Sequence, residues 1–151
     1  MSRRELVRMK SILATLRESG SFDVFLDLAW VAGMEERLST EGPYTLFVPD
    51  DDAFRDLPRS ELEAIRRNAD RLGETLNYHI VPGVHSMIDL LGIRTLRSLQ
   101  GDDLTVEVAP EGVLVNDVAV VESDAWCTNG ICHAVSALLL PPVARAIAAH
   151  G

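Results

Sequence analysis

The stretch Tyr44 to Phe54, YTLFVPDDDAF, constrains this chain more than any other. Tyr44 to Val48 is a short run of aromatic, β-branched and apolar side chains, which predicts a buried strand. Pro49 stops it, because proline has no N–H to give a neighbouring strand. Asp50, Asp51 and Asp52 follow. A short acidic side chain ahead of a helical turn accepts the free N–H groups at its start. The expectation is a central strand feeding a capped turn, with Phe54 folding back onto the core. The acids could instead hold a hard cation. Adjacent acids on a turn point in different directions, however, and no spaced Gly or following Glu completes a calcium loop. Capping is the expected role, and no metal site is expected.

Helical spacing surrounds this strand. Leu6, Met9, Leu13 and Leu16 recur at three- and four-residue steps, and Gly20 ends the face. Ser21 is the expected N-cap of a second helix carrying Phe25, Leu28, Ala29 and Ala32. A short helical piece over Met34 to Leu38 and a loop over Ser39 to Pro43 lead into the strand. Beyond it, Pro58 suits a first helical position, and Leu62, Ile65, Ala69, Leu72 and Leu76 line a face broken near Asn68. Tyr78 to Gly83, YHIVPG, closes this half with a Pro-Gly turn, and Met87 to Leu91 is apolar but of ambiguous type.

From Thr95 the period becomes two. Leu104, Val106 and Val108 alternate with polar residues, and Pro110-Glu111-Gly112 and Asn116-Asp117 punctuate further valine-rich segments. Asn129-Gly130 is the strongest hairpin signal, since both residues tolerate the positive φ of a primed turn. Ile131 to Leu140 is the expected last strand, Pro141-Pro142 breaks it, and residues 143–150 read as a closing helix. Helices first and strands second predict one α+β domain over residues 1–151.

The 151 residues suffice for a full core, and 47% are hydrophobic. The 23 acids against 14 bases give a formal net charge of −9, which excludes nucleic acid and anionic lipid as natural partners. No apolar run is long enough to span a membrane. MSRRELVRMK does not read as a secretory signal, so a cytoplasmic protein is expected, or a secreted or surface-anchored one should an export segment precede these residues.

Three landmarks stand in order: YTLFVPDDDAF, YHIVPG and NGICHAVSALLLPP. Together they resemble the fasciclin domain, a module found singly or repeated in adhesion and matrix proteins and in small bacterial proteins. The first landmark is similar to the family's first box, carrying Thr45, Asp50 and Phe54. The third is similar to its second box, carrying His133, and Tyr78-His79 matches the tyrosine-histidine motif between them. The resemblance spans roughly residues 8 to 142. It implies an α+β fold in which N-terminal helices pack on a wedge of two small β-sheets. It also implies a non-catalytic role in adhesion or protein interaction, without cofactor. In matrix members the tyrosine-histidine region is tied to integrin engagement, which points to Tyr78 and His79 with flanking Leu76, Ile80 and Val81.

Other side chains invite chemistry. Tyr78-His79 could act as an acid/base pair, but no nucleophile motif sits nearby, and a structural hydrogen-bonded pair is the expected role. His133 faces opposite to Cys132 by strand alternation and is expected in the core or at its rim. His85 and His150 are expected to be isolated and exposed. With Asn129-Gly130 as the turn, Cys127 lies opposite Cys132 at a Cα separation of about 4.5 Å, inside the range of about 4.4–6.8 Å that a disulfide closes. A cross-strand bridge and two free thiols in a reducing compartment both stay open. No phosphate-loop, dinucleotide, zinc-protease or nucleophile-elbow pattern occurs.

The chain is therefore expected to be an interaction module, with Tyr78-His79 and the neighbouring segment from Val84 to Gly92 as its surface and an unidentified protein as partner. The rival is a small-molecule binder or small enzyme, of cyclase or isomerase type, gathering Tyr78, His79 and Asp50 in an apolar pocket.

Overall fold

The apolar run at Tyr44–Pro49 forms strand β1, and every residue after Tyr44 in it is buried. It is buried because both its faces are covered: Leu46 and Val48 turn to a helical layer, and Phe47 turns to the opposite side. A computed structural model describes residues 9–142; Leu6, His150 and the expected closing helix lie outside them.

Helix α1, Ile12–Ser19, is capped by Ser11, whose hydroxyl accepts from the Ala14 amide at 3.1 Å, and it ends on Gly20 at φ 73°. Met9, expected on its face, lies ahead of that cap. Helix α2, Asp23–Val31, is not capped by Ser21. The Val24 amide instead donates to Asp51 Oδ1 at 2.9 Å, and the Asp51 amide donates back to the Ser21 carbonyl at 2.8 Å. A cap supplied across sequence leaves no mark on the local pattern. Helix α3, Glu35–Thr40, takes in Ser39 and Thr40, expected in a loop, because both hydroxyls donate to the Glu36 carbonyl.

After β1, Asp50 caps a 3₁₀ turn over Asp51–Phe54 through the Ala53 amide at 2.9 Å, and Phe54 is buried. Helices α4, Arg59–Arg67, and α5, Ala69–Asn77, divide at Asn68, whose side chain caps the second. Strand β2, Ile80–Pro82, leads to α6, Met87–Leu90. The ambiguous Met87 stretch is helical because Ser86 and Asp89 form a capping box.

Strands β3, Thr95–Arg97, β4, Asp103–Ala109, β5, Gly112–Val115, β6, Val118–Cys127, and β7, Gly130–Val135, complete the sheet. Asn116 and Asp117, at φ 49° and 66°, make the primed turn between β5 and β6. The order is β2-β1-β7-β6-β5-β4-β3, with β1 and β7 parallel and the other neighbours antiparallel. The α+β class and the helices packed on the sheet stand as expected. The expected two small sheets are one hydrogen-bonded order, joined through β6, whose register shifts twice between Val120 and Ala125. Two apolar clusters cover the β1 region: α1 to α5 with Leu46, Val48 and Cys132 on one side, and Phe47, Tyr78, Leu104, Val115 and Leu139 on the other.

The last hairpin turns one residue earlier than expected. Cys127 pairs with Gly130, so Thr128 and Asn129 are the turn and Cys132 lies opposite Ala125. The reason is tertiary. Gly130 sits against β1, where an added Cβ would stand 2.0 Å from the Tyr44 carbonyl oxygen. Asn129 is held outside the ladder: its Oδ1 accepts from the Ile12 amide at 2.8 Å, and its Nδ2 donates to the Leu38 and Glu41 carbonyls at 3.0 and 2.8 Å.

Candidate functional site

The residues expected to touch a partner lie in the core instead. Leu76, Tyr78, His79, Ile80 and Val81 are each no more than 2% exposed. Alternation and helix packing send all five inward, so a partner meets none of their side chains on the folded surface. Their work is to fix what lies next in the chain.

Tyr78 donates its hydroxyl to the Asp103 carbonyl at 3.0 Å and accepts from Asn116 Nδ2 at 2.7 Å. The Asn116 Oδ1 accepts from the Thr105 amide. Tyr78 thereby ties the end of α5 to β4 and to the β5–β6 turn. His79 is fully buried between two backbone groups. An amide can only donate, so the Leu139 amide at 2.9 Å makes Nε2 the acceptor and leaves the proton on Nδ1, which donates to the Thr75 carbonyl at 2.7 Å. Burial pushes its pKa down to about 4, against a smaller opposite pull from the Thr75 bond. The imidazole is neutral at physiological pH and has no free nitrogen for acid/base work.

His133 repeats this arrangement on β7. Its Nδ1 accepts from the Asp124 amide at 3.2 Å, its Nε2 donates to the His85 carbonyl at 2.7 Å, and its ring stacks on Phe47 at 5.6 Å. Burial lowers its pKa, opposed by the His85 bond and by the Asp124 carboxylate. His85 is therefore half-buried and engaged, not isolated. Its amide donates to Thr45 Oγ1, which in turn donates to the Gly83 carbonyl, both at 2.8 Å. Thr45 and His133, from the first and third landmarks, grip the same loop from below.

The far end of that loop is held by Asp124, which sits at φ 60° in β6 and accepts from the Met87 amide at 2.9 Å. Asn116, Asp124 and Asn129 were not singled out from sequence as functional. The readable signal is an Asn or Asp within a valine-rich or turn segment, where its short side chain tolerates αL backbone and bonds nearby amides.

Anchored this way, residues 83–92 raise an apolar ridge. Ile88 is 78% exposed, Leu91 54% and Val84 39%. Beside it Val108 and Val121 project from the sheet, and Met87, Leu91, Val108, Val113 and Val121 line a cleft of about 490 Å³.

The remaining candidates lie apart. Asp50 caps its turn, Asp51 caps α2, and Asp52 pairs with Arg55 at 3.0 Å, so each acid has a local partner. Asp50 borders a surface cleft with Ser21, Phe22 and Arg55 that includes neither Tyr78 nor His79. The apolar pocket expected to gather these three residues is not formed among the described residues: Tyr78 and His79 are buried in the core, and Asp50 lies on this separate cleft. Among the described residues no group of three or more His, Cys, Asp or Glu side chains is placed to hold a metal. Cys127 and Cys132 are free buried thiols with Sγ atoms 4.0 Å apart, diagonal across the hairpin instead of opposite.

Comparison with known proteins places this geometry in context. A family model described as the fasciclin domain matches residues 20–141. The chain is 34% identical over 134 residues to the transforming growth factor-beta-induced protein ig-h3 of Sus scrofa, covering 89% of this chain and 20% of that protein. It is 34% identical over 125 residues to protein sll1483 of Synechocystis, covering 82% of this chain and 69% of that one. Among solved structures, a FAS1 domain pair from the insect cell adhesion molecule fasciclin I superposes with a TM-score of 0.69 at 21% identity, over 87% of this chain and 51% of that one. The chain spans about a fifth of the length of the mammalian relative.

Proposed function

The chain belongs to the fasciclin domain family, and on that premise we propose that it serves as an adhesion or protein-interaction module whose contact surface is the ridge over residues 83–92. The observation that carries this reading is the pairing of exposure with rigidity. Val84, Ile88 and Leu91 project large apolar surface from a segment whose backbone is held by Thr45, His133 and Asp124. Apolar side chains grouped on a rigid scaffold mark contact sites, because they expose transferable surface without an ordering cost on binding. Mobile loops would lose much of that gain.

The test uses surfaces coated with the protein and challenged with a panel of purified extracellular and cell-surface proteins. A wild-type binder is expected to lose at least about tenfold in affinity to the Ile88→Asp/Leu91→Asp double variant, the range set by burying two large side chains. Circular dichroism confirms the fold. A panel without any binder, or a binder indifferent to the double variant, sinks the reading.

A further inference from the structure

Among the described residues, the sheet has an edge that is left open. Strand β4 runs from Asp103 to Ala109, but β3 pairs with it only as far as Thr105, and the Arg94 carbonyl accepts from the Val106 amide just beyond. Among the described residues, β4 from Glu107 onward is paired on the β5 side alone. Thr105 exchanges bonds with Asn116 on that side. Strand alternation therefore points the N–H and C=O of Val108 away from β5, toward the open side. The cleft there, about 520 Å³, is lined by residues 91–95 and 105–108. Leu91 and Val108 border both this cleft and the apolar one beside α6.

Charge selects the occupant. No lysine or arginine lies between Arg97 and Arg145, against seven carboxylates in that interval. Glu107 stands in the edge itself, Glu111 at the β4–β5 turn and Glu122 on the rim of the apolar cleft. Of the acids in this interval, Asp103 pairs with Arg97 at 2.8 Å. A second copy of this edge would set Glu107 and Glu111 against their own kind, which disfavours self-pairing. Arg94 lines the end of the cleft where β3 stops, so an extended segment whose lysine or arginine stands beside Glu107 and Glu111, past that end, would meet opposite charge there and bond the free backbone.

We propose that the open half of β4 takes an extended, lysine- or arginine-bearing segment of a protein partner as an added strand, its apolar side chains seated on Leu91 and Val108. This deepens the interaction-module reading and rests on it. Main-chain bonds supply affinity in such strand addition, and alternate side chains supply selectivity.

The probe is a short labelled peptide of alternating valine and lysine, followed by fluorescence anisotropy with the full chain. Binding is expected, weakening as salt rises, and absent for the alternating valine–glutamate peptide and for a backbone N-methylated version. Val108→Pro removes the outward N–H without touching the ladder to β5 and should cost at least about tenfold. Glu107→Lys/Glu111→Lys should reverse the preference between the two peptides, which keeps the test decisive if the proline variant misfolds. Equal binding of both peptides, binding that survives N-methylation, or no binding at all overturns the inference. A chain that adheres through Ile88 and Leu91 yet ignores the peptides loses this inference and keeps the module reading. A chain that binds the peptide but no panel protein does the reverse.

Discussion

His79 is a base held in a site that has room for only its neutral form. The folded pKa is about 4 against an ordinary 6.5. As pH falls below 6.5 the unfolded chain takes up a proton on this residue, while the folded chain refuses it until near pH 4. The stabilisation from neutral His79 is therefore complete above pH 6.5 and lost progressively as pH falls toward 4, by about 3 kcal/mol in all. His133, lowered by burial, adds loss of the same sign. Urea midpoints followed across this window should fall steeply for the wild type and less steeply for His79→Gln. Equal slopes would show that another group carries the acid sensitivity. The cysteines make a second residue-scale case. The Cys132 thiol beside it lowers the Cys127 pKa, with a smaller contribution from the Thr15 hydroxyl at 3.5 Å, while that pairing and burial raise Cys132. Cys127 is thus the attacking thiolate. A small disulfide oxidant should consume both thiols within one chain, the mixed disulfide on Cys127 being displaced by the Cys132 thiol 4.0 Å away. In Cys132→Ser it should leave a mixed disulfide on Cys127. Two thiols persisting in the oxidised wild type would contradict this.

At the scale of elements, the junction of β1 with β7 is the least forgiving. It is the parallel pair in the sheet, running from Tyr44–Gly130 to Pro49–Val135, and it brings the first landmark against the third. Gly130 makes it possible, since a side chain there would meet backbone oxygen that cannot step aside. Gly130→Ala should destabilise by about 3 kcal/mol, the upper range for overpacking. A urea midpoint close to wild type would mean that β7 shifts away at little cost. Two readings from sequence diverge at this same place. Asn129-Gly130 was the right signal for a hairpin and the wrong centre for its turn. Register was decided by the contact with Tyr44 and by the three side-chain bonds of Asn129, none of which is a property of the hairpin alone.

For the whole molecule, interior and ridge separate stability from contact. Ile88 and Leu91 are exposed, so their replacement by Asp should shift the unfolding free energy by less than about 0.5 kcal/mol, while binding falls. A large stability loss would mean that the ridge is part of the core. The buried strand at Tyr44, the helical faces, the break at Asn68 and the α+β class were all determined by the order of residues, because each depends on periodicity or on short-range capping and turn chemistry; the family was legible separately, from the resemblance of three ordered motifs. The partner surface was not. Tyr78, His79, Ile80 and Val81 carry the family pattern and are legible for that reason, but a pattern does not say which way a side chain faces. Only tertiary structure set them inside, bonded Thr45 and His133 to a loop some forty to fifty residues distant in the chain, and turned Val84, Ile88 and Leu91 outward. Those outcomes come from side-chain bonds to backbone groups far along the chain, and a backbone amide or carbonyl is the same in almost every residue, so the receiving end of each bond leaves no signature in the sequence.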